Sequence, residues 1–312
     1  MKRKFLTAGV ILLLLFLLFF PGEALAATKS GMKLWLNTLM PTLLPFIILT
    51  GVLVHTDGIK KIMSPAEPLF KHILGLSSYG GYVFLLGLLC GYPMGAKLAS
   101  DLYTERKISR REAHYLTTFS NNASPAFIIS YLGHACLKDR ILPHTLFLCF
   151  LISDLMCMLF FRFIVYKNRT IGIISDEKKE TSQVLSSGTI LDVSIMNGFE
   201  AIARLGGYIL LFSILAACVS HFWPFSPHLK YIPLSYLEVT TGLSLISVCD
   251  LPFTVKCILS VTATAFGGIC ILAQTRSILN KDLHILPYFL SKCMNGILTG
   301  ILFCLLILTK VI

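Results

Sequence analysis

Two short polar interruptions of otherwise apolar sequence are where this chain could do chemistry. The first is Gly91-Tyr92-Pro93-Met94-Gly95-Ala96-Lys97. Glycine permits a non-helical backbone, and proline removes a donor and cannot continue a helix. In apolar surroundings the amides so freed must face protein or a water-filled cavity. A helix resuming at Met94 would aim its amide end, with partial positive charge, at the break, and Lys97 adds a full charge one turn on. Gly91, Pro93, Gly95 and Lys97 together would suit an anionic or strongly polar group. The plainer reading is a structural kink with Lys97 reaching to the membrane interface. The second interruption is Asn121-Asn122-Ala123-Ser124-Pro125. Asn121, Asn122 and Ser124 both donate and accept hydrogen bonds, so they could bind a substrate or hold helices together.

Acids inside apolar runs are functional candidates by default. Asp154 is one, unless it pairs with Arg162 or another nearby cation. Glu238 is a second, unless it sits at the outer interface beside Tyr236. Asp250, beside Pro252, and Gln274 stand where the second half of the chain repeats the broken segment, and they rank behind the first set. The eight histidines lie mostly at segment ends without ligand spacing, and the ten cysteines form no CxxC pair. Neither a metal site, a cofactor nor a disulfide framework is expected, and the cysteines read as small buried hydrophobes. No Walker motif, nucleophile elbow or HExxH is present, so no enzyme is expected either.

The elements that must position these residues are membrane helices. Hydrophobic residues make up 55% of the chain and charged ones 14%, against about 25% in a soluble domain. Residues 8–20, 41–54, 141–165, 205–219 and 285–308 are apolar or nearly so, and about 20 such residues cross the hydrocarbon core as a helix. Nothing alternates with the period of a barrel strand. The fold class is therefore all-α and polytopic. The net charge of +11 comes from residues between apolar runs, where topology explains them better than nucleic-acid binding. Lys2, Arg3 and Lys4 precede the first run, and Ala24-Leu25-Ala26 resembles a signal-peptidase site; cleaved or not, the chain emerges outside near Thr28.

Residues 41–54 then return the chain to the cytoplasm, with Lys60, Lys61 and Lys71 inside. The stretch 82–92 is too short to cross, and Arg106, Lys107, Arg110 and Arg111 follow it. A re-entrant hairpin keeps those charges inside. A helix from near Arg111 through residues 123–132 leads out to Lys138 and Arg140, and residues 141–165 come back in towards Lys167, Arg169, Lys178 and Lys179. The second half repeats this order of short, broken segments from the opposite side of the membrane. At one constant spacing Leu98-Ala99 matches Leu272-Ala273, Lys107 matches Lys281 and Asn121 matches Asn295. The resulting division is an N-terminal transmembrane or signal-anchor segment (1–27), a first repeat (28–167), a cytoplasmic linker (168–187) and a second repeat (188–312). Inverted repeats with broken helices are a recurring plan of secondary transporters.

Three segments carry a resemblance to a family: Asn37-Thr38-Leu39-Met40-Pro41-Thr42-Leu43-Leu44-Pro45-Phe46, Gly91 to Lys97, and Ser120 to Pro125. Together with the stretch from Glu238 through Gln274 they resemble the YlbJ-like sporulation integral membrane proteins. That resemblance runs from about Thr28 to the C-terminus. It implies two Gate-type ("nucleoside recognition") repeats, an uncleaved N-terminal helix, and a multi-pass protein of the inner membrane of spore-forming Firmicutes. It implies no catalytic residue and no named solute. The expected function is a transporter-like permease for a small polar or anionic solute, with a non-transporting scaffold in spore formation as the rival. The expected partners are the lipid bilayer, that solute and a second copy of the chain, with no nucleic acid.

Overall fold

The computed structural model describes residues 2–56, 63, 65, 67–167, 187–226 and 229–309, and every element in them is helical. Lys60, Lys61, Arg169, Lys178, Lys179 and the linker up to residue 186 lie outside the described residues. The chain opens with α1 (Lys2–Phe19) and α2 (Pro21–Leu34), which meet at 109°. The run 8–20 thus does not continue straight into the next segment: Pro21 has no amide to extend the ladder of α1, so a new helix starts there. α2 passes through wider-pitched turns at Trp35–Leu39 into α3 (Met40–His55). Beside this rod lies α9 (Ser187–His221), 35 residues long. Small residues let the two approach: Gly31 faces Ser213, Gly51 faces Ser194, and Gly198 faces Leu44 and Ile48. The Trp35 indole crosses the contact and donates to the Ile202 carbonyl at 2.9 Å.

The rest of the fold is two series with the same order. In the first, α4 (Ser78–Cys90) and α5 (Met94–Thr104) are joined at Gly91-Tyr92-Pro93, where the Tyr92–Pro93 peptide is cis. α6 (Arg110–Phe119) breaks at Ser120–Ala126 and resumes as α7 (Phe127–Cys136), and α8 (Pro143–Phe160) closes the series, extended to Val165. In the second, α10 (Tyr231–Leu237) and α11 (Val239–Val248) turn at Glu238. α12 (Phe253–Phe266) breaks at Gly267 and Gly268, both at positive φ, and continues as α13 (Gly268–Ile278); α14 (Leu286–Leu308) closes it. Both short pairs are hairpins, because Gly87 lies against Gly95 across one turn and Gly242 against Ser235 across the other. α5 packs on α13 and α11 on α7, so the returning arm of each hairpin rests on the far half of the other broken helix.

The two hairpins open at opposite ends. Ser77, at the mouth of the first, bonds Glu112 of α6; Lys107 reaches the Val54 carbonyl, Arg111 the Tyr166 carbonyl and Arg110 the Asp282 carbonyl. This end gathers Arg106, Lys107, Arg110, Arg111, Arg276 and Lys281 and is cytoplasmic by the positive-inside rule. The mouth of the second hairpin lies at the other end, where Lys256 bonds the Ser247 carbonyl and Arg140 covers the Phe253 ring at 5.0 Å. The re-entrant reading of 82–92 and the entry of the second half from the opposite side agree with this arrangement. The residue pairing does not: element order matches the turn at Gly91 with that at Glu238, and the break at Asn121 with that at Gly267. Asn295, expected to match Asn121, lies inside the continuous helix α14.

Among the described residues four helices are long and apolar enough to cross a membrane, at 143–165, 188–221, 253–278 and 286–308, or up to six if two bent pairs count as spans. Large apolar side chains such as Leu18, Leu49, Leu211, Ile297 and Leu308 stay exposed on the helices, as they would against hydrocarbon. The chain is thus an all-α, multi-pass membrane protein. The tightest point of the first hairpin is glycine-dependent: a Cβ on Gly95 or Gly87 would overlap the Ser120 carbonyl oxygen. Gly95→Ala is expected to cost about 1–3 kcal/mol or more through overpacking, read as a lowered midpoint in detergent unfolding, with Gly207→Ala, which meets open space, as the neutral control.

Candidate functional site

Gly87 and Gly95 admit the Ser120 carbonyl between the arms of the first hairpin, and this seats the α6–α7 break on the α4–α5 turn. The freed amides then find partners within the protein. Tyr92 N–H donates to the Asn122 carbonyl at 2.6 Å, and Ala96 N–H donates to Asn121 Oδ1 at 3.3 Å. Ser124 Oγ accepts from the Phe127 amide at 3.2 Å and caps α7. The positive end of α5 is thus occupied by Asn121, and Lys97 does not add to it. The Lys97 ammonium turns along its own helix and pairs with Asp101 at 2.8 Å, which corrects the expectation that it faces the break.

The cation at this centre is Lys292 of α14, only 1% exposed. Its ammonium donates to Asn122 Oδ1 and to the Ala265 carbonyl (3.3 Å), and lies 5.7 Å from the centre of the Tyr288 ring. Asp154 of α8 is the matching anion. It accepts from Asn295 Nδ2, Asn122 lies beside it, and its carboxylate attracts the Lys292 ammonium. The two charges make no direct ion pair; Asn122 and Asn295 stand between them. Ser153 donates to Asn295 Oδ1, and Thr299 donates to Ser153 Oγ at 2.9 Å. Tyr288, Lys292, Asn295 and Thr299 fall three or four apart, so one face of α14 presents all of them. Asn121 extends the set to α13 by donating to Thr275 Oγ1 at 3.2 Å. The cluster joins the first series (α6–α7, α8) to the second (α12, α13, α14).

The structure therefore brings together Gly91, Pro93, Gly95, Asn121, Asn122 and Ser124, but not all the sequence candidates. Asp250 is exposed in the loop after α11, away from the break in α12–α13. Gln274 is buried but bonds Cys270 Sγ one turn back in its own helix. Arg162 does not pair with Asp154; it donates to the carbonyls of His72 and Ile73. Glu238 does not sit at the outer interface. It is 4% exposed, and its carboxylate accepts from the amides of Thr240 (3.1 Å) and Thr241 (2.7 Å) and from the Thr240 hydroxyl (2.7 Å). An acid thereby caps the amide end of α11. Lys292, Asn295, Thr299 and Ser153 escape a reading by apolar runs because single polar residues hardly lower the hydropathy of a long span. The legible signal is the lysine itself, with Asn295 and Thr299 at helical spacing inside a crossing.

Compared with known proteins, the chain is 27% identical over 334 aligned positions to the sporulation integral membrane protein YlbJ of Bacillus subtilis (strain 168). The match covers 97% of this chain and 80% of that protein. The chain is YlbJ-like. No protein-family model matches it, and no solved structure does. In this YlbJ-like chain the segments that carried the resemblance, Gly91 to Lys97 and Ser120 to Pro125, are the turn and the break that interlock around Ser120. Leaving one member of a buried charge pair uncompensated costs about 3–5 kcal/mol. Lys292→Met is expected to lower stability on that scale, whereas Lys97→Met removes a partly exposed pair and should cost less than about 1 kcal/mol. Reversible unfolding in mixed micelles measures both.

Proposed function

We propose that this chain is a sporulation-associated membrane protein that works as a transporter-like permease for a small polar or anionic solute, and not as an enzyme. The observation that carries the reading is the Lys292–Asp154 set, two opposite charges held apart by Asn122 and Asn295 inside the spans. Ionisable groups at such depth are expensive and mark solute or ion pathways more often than structural joints. Their setting supports the same reading: two oppositely directed hairpins and two broken helices meet there. The buried hydroxyls of Tyr92 and Thr264 have no hydrogen-bond partner among the described residues, and an unpaired buried polar group suits a site that a polar guest completes. The sporulation role rests on the relative's name together with the match over nearly the whole chain.

One observation favours the rival scaffold: the centre is closely packed, with Asn121 at 0% and Lys292 at 1% exposure. An occluded state of a permease and a sealed joint share that property, and they differ in whether water ever enters. Ser153→Cys and Thr299→Cys, each on a cysteine-free background that retains spore yield, separate them. A small membrane-impermeant thiol reagent is expected to label both from at least one side, with one class of polar solute slowing the reaction. Silence at both positions, with Thr104→Cys at the exposed end of α5 and Lys138→Cys in the loop after α7 labelling normally as controls, would overturn transport and leave the scaffold. Gly95 is unsuitable for such probing, because any side chain there meets the Ser120 carbonyl.

A further inference from the structure

At the cytoplasmic end a cleft of about 770 Å³ opens between the start of α6, the end of the α8 extension, the end of α13 and the start of α14. Arg110, Arg111, His114, Arg276 and His284 line it, with Tyr166 and the apolar residues 285–287 completing the wall. Among the described residues no carboxylate pairs with the three arginines. Arg110 Nε donates to the Asp282 carbonyl at 2.9 Å, Arg276 to the Leu283 carbonyl at 2.9 Å, and Arg111 to the Tyr166 carbonyl. Each guanidinium is held in place by a neutral acceptor and keeps further N–H groups for another partner. The two histidines serve as neutral acceptors: Arg110 donates to His284 Nε2 at 3.2 Å, and the His284 amide donates to His114 Nε2 at 2.9 Å. Gathering three guanidiniums around one cleft with no counter-charge among the described residues is unfavourable, and an anion between them removes that cost.

The geometry points to a binding site for a phosphate-bearing anion at the cytoplasmic surface of the membrane. Fixed guanidinium forks match the oxygens of a phosphate better than a lone ammonium does, and basic pockets between membrane helices on this side suit anionic headgroups. The apolar side of the cleft favours a lipid as the source: Leu286 is 59% exposed beside it, and Phe163 and Ile164 are exposed just before Tyr166. A soluble phosphate would use the arginines alone. This site is separate from the Lys292 centre and does not depend on transport.

The full chain in nanodiscs of phosphatidylcholine, with and without phosphatidylglycerol, tests the proposal through thermal unfolding, with inorganic phosphate in phosphatidylcholine discs as the second arm. Phosphatidylglycerol is expected to raise the midpoint of the native chain. The Arg110→Gln/Arg276→Gln pair should lose most of that shift, while Lys138→Gln, at the other membrane face, keeps it. A shift produced by phosphate alone, and lost in the same pair, would uphold the site with a soluble ligand. An equal lipid shift in the native chain and the arginine pair would overturn it as general membrane electrostatics. The absence of any shift from either anion would overturn it too. Should the double variant fail to fold, Arg276→Gln, whose side chain is exposed, gives the same comparison.

Discussion

A lysine ammonium in hydrocarbon has no solvent, and the centre of this protein is organised around supplying one. Lys292 takes a side-chain amide oxygen from the α6–α7 break and a backbone carbonyl from α12, the face of Tyr288, and the field of Asp154 across two asparagines. None of these comes from a neighbouring turn of its own helix except Tyr288. The ammonium therefore fixes the relative position of α6–α7, α12 and α14, and through Asn295 and Ser153 that of α8. Leaving any part out would strand a charge or an amide where water cannot reach it.

The same constraint explains how helices can be broken at this centre. A break exposes amides and carbonyls, so it is tolerated only against other protein groups. The turn at Gly91 and the break at Asn121 satisfy each other, Tyr92 amide to Asn122 carbonyl and Ala96 amide to the Asn121 side chain. In the second half the turn carries its own acceptor, Glu238, and Gly268 packs against the carbonyls of Tyr236 and Leu237. Two related frames thus solve one problem differently: the first borrows an asparagine from another helix, and the second caps itself with an acid. In the first, Asn121 takes the cap and the side chain of its neighbour Asn122 accepts from Lys292.

Much of this was legible in the sequence. The apolar runs, the too-short stretch ending at Gly91-Tyr92-Pro93 and the basic segment after it were enough for the multi-pass fold and the re-entrant hairpin. Asn121 and Asn122 stood out because two amides beside a proline are costly at depth. Lys97 misled because proximity to the turn in sequence says nothing about side-chain direction, and Asp101 one turn away was an available partner. Lys292 was hidden by the strength of its own span. Its partners come from residues 122, 154 and 265, and contacts over such separations are set by how the two halves interlock, which no local pattern encodes.

Lys292 and Asp154 couple the two halves through their charges. A double-mutant cycle with Lys292→Met, Asp154→Asn and the pair, read by reversible unfolding in mixed micelles, tests it most directly. Contacting members of one buried network show interaction energies of about 0.5–3 kcal/mol. A coupling of at least about 1 kcal/mol is expected, with the double variant more stable than the sum of the single effects allows. Additivity within about 0.5 kcal/mol would mean that the charges do not sense each other, and would contradict it.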